Sequence, residues 1–73
     1  MALQVILNGQ QRSFEGLESG ATVARLVEAL GFREDRVAVE HNGSIVSRAQ
    51  WPSVTLASDD RVEVVHFVGG GSR

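Results

Sequence analysis

Apolar and polar residues alternate from the start of the chain. In "LQVILNGQQRSF", Leu3, Val5 and Leu7 share one face of a strand, because successive strand side chains point to opposite sides. Asn8-Gly9 breaks the alternation with two residues that tolerate positive φ, the pair that closes tight hairpins. Phe14 ends the returning strand, so the chain opens as a β-hairpin. The period then changes. In "GATVARLVEALGF", Val23, Leu26, Val27 and Leu30 recur at helical spacing and make one apolar stripe. Thr22 stands where a hydroxyl can accept an orphan backbone N–H. Gly31 fits the left-handed position that ends a helix, and Phe32 is expected to fold back on Leu26 or Val27.

The second half returns to strands. "RVAVEHNGSIV" places Val37 and Val39 inward, and Asn42-Gly43 repeats the turn signal. "SRAQWPSVTLASDD" reads as a loop with one helical turn before Pro52, with Trp51 as its packing anchor. Asp59-Asp60 mark a turn. "RVEVVHF" is the last strand, with Val62 and Val64 inward. The order is ββαβββ. One sheet face must cover the helix stripe, because nothing else is long enough to do so. The last strand arrives after a long return and is expected to pair beside the first. These features predict an α+β fold of the β-grasp, or ubiquitin-like, class, with a mixed sheet packed on one helix. The expected domain spans residues 1–68. Residues 69–73 are expected to form a flexible, glycine-rich tail.

If Val62 and Val64 face the core, Glu63, Val65 and Phe67 face away, and so does Ile6 on the first strand. Ile6, Val65 and Phe67 are therefore the candidate partner-binding face beside the root of the tail. Single exposed apolar residues are ordinary. A contiguous apolar patch next to a tail argues for docking.

Composition narrows the chemistry. Seventy-three residues hold one domain with a small core. There is no cysteine, so no disulfide and no thiolate ligand. That fits a reducing, cytoplasmic setting, and it means that any sulfur handled here cannot ride on a thiol. All seven basic residues are arginines, scattered from Arg12 to Arg73, which gives nucleic acid no basic stripe to bind. No segment is long and apolar enough to span a membrane, and the N-terminus has no signal-peptide pattern. His41 and His66 are the only histidines and are not clustered, so no metal is expected. His41 precedes a turn and is expected to face solvent. His66 shares the inward parity of the last strand but lies at its end. No glycine loop carries a lysine for phosphate, and no Ser-His-Asp arrangement suggests itself, so neither a cofactor nor catalysis by this chain is expected.

The run Gly69-Gly70-Gly71 has no side chain to bury. One reading is a fraying terminus. The other is a substrate tail: a chain without Cβ atoms fits a narrow channel, and a terminal glycine carboxylate is unhindered enough to attack the α-phosphate of a nucleotide. A partner enzyme would supply the catalysis. A plain β-grasp interaction module, docking through Ile6, Val65 and Phe67 and indifferent to loss of the glycines, is the competing reading.

Three stretches carry a family resemblance: "VEVVHFVGGG", an apolar strand running into glycines; "NGSIVSRAQW", a hairpin turn leading to Arg48 and Gln50-Trp51; and "ASDDRVEVV", an acidic turn before the last strand. The chain resembles the ThiS-type sulfur carriers of thiamine biosynthesis over nearly its whole length. Arg48 to Trp51 and the total length favour this branch over the MoaD-type carriers of molybdopterin synthesis. The resemblance implies a ThiF-like or E1-like enzyme that uses ATP to adenylate the C-terminal glycine, and a sulfur donor protein that converts the adenylate to a thiocarboxylate. A ThiG-like thiazole synthase then accepts the sulfur. Gly71 would carry the acyl-adenylate and then the thiocarboxylate, with Gly69 and Gly70 threading the partner's active site. Ser72-Arg73 departs from the family's Gly-Gly ending. Three explanations fit: a protease trims the pair, the pair is foreign to the natural chain, or the chain is not a working carrier; trimming is the favoured expectation.

Overall fold

The computed structural model of the chain describes residues 2–66. Strands β1 (Leu3–Leu7) and β2 (Gln10–Phe14) form the first hairpin, followed by helix α1 (Val23–Leu30), β3 (Val37–His41), β4 (Ser44–Val46) and β5 (Asp60–His66). The sheet order is β2-β1-β5-β3-β4. β5 runs parallel to β1 and antiparallel to β3, and both hairpins are antiparallel. This is the β-grasp arrangement: one helix across a mixed sheet whose last strand is central. The expected boundary between residues 68 and 69 lies outside the described residues, as do Phe67, Gly69, Gly70 and Gly71.

Local chemistry sets the elements. Thr22 Oγ1 accepts from the Arg25 N–H at 3.2 Å and starts α1. Gly31, at φ 80°, ends the helix in the left-handed region that a side chain would oppose. Asn8 and Asn42 stand at φ 50° and 51°, each followed by a glycine, in the two hairpin turns. The core is one cluster from Leu3 to Val64. The helix contributes Val23, Leu26 and Val27. The sheet contributes Leu3, Val5, Leu7, Val37, Val39, Val46, Val62 and Val64. Trp51 is the largest fully buried residue, and its Nε1–H donates to the Val46 carbonyl at 3.0 Å. It thereby anchors the long loop between β4 and β5, whose backbone bonds to the entry of α1 (Val23 N–H to Val54 O, 2.9 Å; Leu56 N–H to Ala21 O, 2.8 Å).

Phe32 does not fold back on the helix. Leu26 and Val27 are already sealed by the sheet, and the turn at Gly31 carries Phe32 past them to the end of β5. There it stays exposed and stacks on the His66 ring, with centroids 5.3 Å apart. His41 is not a solvent-facing residue either: its side chain is only 20 % exposed, and its Nε2 lies 2.7 Å from Asp60 Oδ2. The partner is distant in sequence and adjacent only because β3 and β5 are neighbours. Asp59 occupies the turn at φ 71°, whereas Asp60 begins β5.

Candidate functional site

The site is built around the C-terminal end of β5, because the glycines begin three residues beyond His66 in the chain. Register and parity decide what surrounds that end. Val64 exchanges its main-chain bonds with the side chain of Asn8, so its N–H and C=O face β1, and those of Glu63 and Val65 face β3. The outer sheet face then carries Arg61, Glu63 and Val65 on β5, Ala38 and Glu40 on β3, and Ile45 on β4.

Val65 is exposed on this face, opposite the half-buried Ala38. Ile6 is on the same face but opposite Arg61, four residues before Val65. At about 3.3 Å per residue it is about 13 Å from Val65 along the strand. The three-residue patch expected at the tail root is thus not gathered there by Ile6, and Phe67 lies outside the described residues. The apolar residue that sequence reasoning missed is Ile45. At 80 % exposure it is the most exposed large hydrophobic residue described, and it sits opposite Glu40, diagonal to Ala38. Its strand has only three residues, too few to show alternation. Ile45, Ala38 and Val65 make an apolar diagonal beside the directly opposed carboxylates of Glu40 and Glu63.

The end of β5 is braced on three sides. Asn8 Oδ1 accepts from the Val64 N–H at 2.8 Å, and Asn8 Nδ2 donates to the Val64 carbonyl at 3.2 Å. β3 pairs with Val65 and His66 on the other edge. Phe32 stacks on His66 from the end of the helix. At the start of β5, Asp60 accepts from His41, from the Ala57 N–H at 2.9 Å and from Asn42 Nδ2 at 3.3 Å. Burial pushes the Asp60 carboxyl up, but the bonds from His41, Ala57 and Asn42, with the His41 charge, outweigh it and hold the group below the usual carboxylate range.

Nothing described resembles a catalytic centre. Among the described residues no three His, Cys, Asp or Glu side chains stand close enough to hold a metal ion. No described helix is long and apolar enough to cross a membrane. An open groove of about 360 Å³ runs between Phe14–Leu17 and Arg25, Glu28 and Ala29. It lies at the opposite end of the sheet from His66, since Phe14 pairs with Leu3 and β1 runs parallel to β5.

Comparison with known proteins adds a family to this geometry. Residues 5–71 match the model of the ThiS family. The chain is 32 % identical over 65 residues to the sulfur carrier protein ThiS of Bacillus subtilis, covering 89 % of this chain and 96 % of that protein. It is 44 % identical over 69 residues to a thiazole synthase of Magnetococcus marinus and 36 % identical over 70 residues to one of Paramagnetospirillum magneticum. It covers 94 % and 96 % of its own length in these matches, but only 20 % and 21 % of those two proteins. A crystal structure of the thiamine biosynthesis protein ThiS of Geobacter metallireducens superposes with a TM-score of 0.78 at 33 % identity, over 94 % of this chain and all of that one.

Proposed function

The chain belongs to the ThiS family of sulfur carriers in thiamine biosynthesis, and from that premise we propose that Gly71 is the residue that takes up and delivers the sulfur. The observation that carries this reading is the placement of the glycines. The family match runs to Gly71, five residues beyond the end of the central strand. Five extended residues reach at most about 18 Å, so an enzyme that encloses Gly71 also meets the surface around His66, Val65 and Phe32.

The chemistry follows from the carboxyl group. A carboxylate oxygen of Gly71 attacks the α-phosphorus of ATP in a ThiF-like enzyme, and pyrophosphate leaves. The acyl-adenylate is then open to hydrosulfide released by a donor protein, whose sulfur bonds to the Gly71 carbonyl carbon as the bond to AMP breaks, so AMP leaves and a thiocarboxylate remains. The thiocarboxylate passes that sulfur to a thiazole synthase. The two relatives named thiazole synthase, each with a stretch like this chain within a much longer protein, support that partner. The absence of cysteine is consistent with sulfur held on an acyl group. The chain itself acts as substrate. Gly69 and Gly70 have no side chains to obstruct a narrow channel, and Ile45, Ala38 and Val65 form the docking face, with Ile6 at its far side. Only a free carboxylate can be adenylated, so a protease removes Ser72 and Arg73 first.

The test compares the 73-residue chain with one ending at Gly71, each incubated with a ThiF-like enzyme and ATP. The described core residues lie between Leu3 and Val64, and the shorter chain keeps all of them. Pyrophosphate release from the shorter chain alone, and an oxygen-to-sulfur mass gain once a sulfur donor is added, are expected. Equal activation of a chain that also lacks Gly70 and Gly71 would refute the assignment.

A further inference from the structure

The two Asn-Gly turns do more than reverse the chain. The Asn8 N–H donates to the Val62 carbonyl at 2.9 Å, and its side-chain amide then makes the two bonds to Val64. β1 turns away after Leu7, so this side chain stands where the next residue of the strand would have been. Asn42 does the equivalent at the other end of β5: its N–H donates to the Arg61 carbonyl at 2.7 Å, and its Oδ1 accepts from the Arg61 N–H at 2.8 Å. Two chemically similar clamps thus hold one strand, one at its start and one beside its exit.

The geometry points to Asn8 as a positioning residue for the tail: its amide keeps β5 in the sheet up to Val64, and so holds Val65 on the docking face and fixes where the chain toward Gly71 departs. The inference rests on the reading of Gly71 as the reacting residue. Losing both side-chain bonds shifts local opening at Val64 by about ten-fold. An opened end removes Val65 from the face that meets the partner. It also adds loosened residues of β5 to the stretch of chain between the sheet and Gly71, which lowers the effective concentration of the carboxylate near its target. Both effects act before docking is complete. The cost therefore falls on KM for the carrier, while kcat reports a tail already held by the enzyme.

Glycine is the informative replacement, because it accepts φ near 50° and keeps the turn while deleting the clamp. Chains ending at Gly71 are compared as wild type, Asn8→Gly, Asn8→Asp and Asn42→Gly. Amide exchange is read at Val64 and His66, and pyrophosphate release by a ThiF-like enzyme is read against carrier concentration. Asn8→Gly is expected to speed exchange at Val64 by about ten-fold and raise KM by about five-fold, with kcat within about two-fold. Asn8→Asp keeps the acceptor for the Val64 N–H and falls between. Asn42→Gly loosens the tail-distal end and leaves KM within about two-fold. An unchanged KM in Asn8→Gly, or an equal rise in Asn42→Gly, overturns the inference and reduces Asn8 to a stability residue. No pyrophosphate from the wild-type chain is a different failure: the carrier reading itself falls, and this role with it.

Discussion

Replacing Asp60 tests how the sheet is tied to its loops. Its carboxylate accepts three hydrogen bonds, from His41 Nε2 at 2.7 Å, the Ala57 N–H at 2.9 Å and Asn42 Nδ2 at 3.3 Å. These donors belong to the end of β3, the loop before β5 and the second hairpin turn. The side chain is 18 % exposed, so solvent weakens the bonds without erasing them. Bonds to a charged acceptor contribute about 1.5–3 kcal/mol each when well shielded. The partial exposure and the long third bond bring the expected cost of Asp60→Ala to about 2–3 kcal/mol in total. For a domain of this size that lowers Tm by about 10–20 °C. Asp60→Asn keeps the shape and one acceptor but turns an NH₂ toward donors, and costs about half as much.

The pH dependence has a definite sign. The folded carboxyl titrates below its unfolded value of about 3.9. The stabilisation is therefore complete above the unfolded pKa and is lost as pH falls through the folded one. Urea unfolding followed by the fluorescence of Trp51, the single tryptophan and fully buried, reads both effects. Wild type should lose stability below about pH 4 more steeply than Asp60→Asn. An Asp60→Ala variant within about 0.5 kcal/mol of wild type, or an acid slope unchanged in Asp60→Asn, would refute the account.

Other outcomes follow from single contacts. Trp51→Phe removes the donor to the buried Val46 carbonyl and should cost about 2 kcal/mol in urea unfolding at neutral pH. Glu63→Gln relieves the direct cross-strand opposition to Glu40 and should raise stability by about 0.2–1 kcal/mol, most visibly at low salt; a loss would show that the two carboxylates do not repel. Ile45→Asp and Val65→Asp change exposed positions, so melting temperature should barely move. On the proposed docking face each should weaken capture by a ThiF-like enzyme about ten-fold, and unchanged capture would exclude that face.

The elements were legible because their signals are local. Alternation, one helical stripe, a Thr cap, a left-handed glycine and two Asn-Gly turns each state their conformation within eight residues, and their order restricts the sheet to few topologies. The misplaced residues all depend on partners far along the chain. His41 looks solvent-facing until β5 brings Asp60 beside it, 19 residues away. Phe32 looks like a helix staple until the end of β5 offers the His66 ring. Alternation gives Ile6 a face but not a row: only the parallel register with β5 shows that it is opposite Arg61. Ile45 lay in a strand too short to show a period.

The two Asn-Gly turns show how one local signal can serve a second, global purpose. Any residue tolerant of positive φ could have closed the hairpins, and glycine would do so without strain. Asparagine adds an amide that can replace a missing strand residue, and in both turns the amide is spent on β5. That strand is already flanked by β1 and β3 and carries Val62 and Val64 into the core. Central, doubly paired strands open last in a small domain. The chain thus puts its most firmly held strand immediately before the residues that the proposed chemistry needs to hand between enzymes. A carrier with a loose last strand would present the same glycines from a wider range of positions and lose the face that recruits its partners. Pairing of β5 with β3 up to His66 keeps the surface before those glycines constant from one partner to the next.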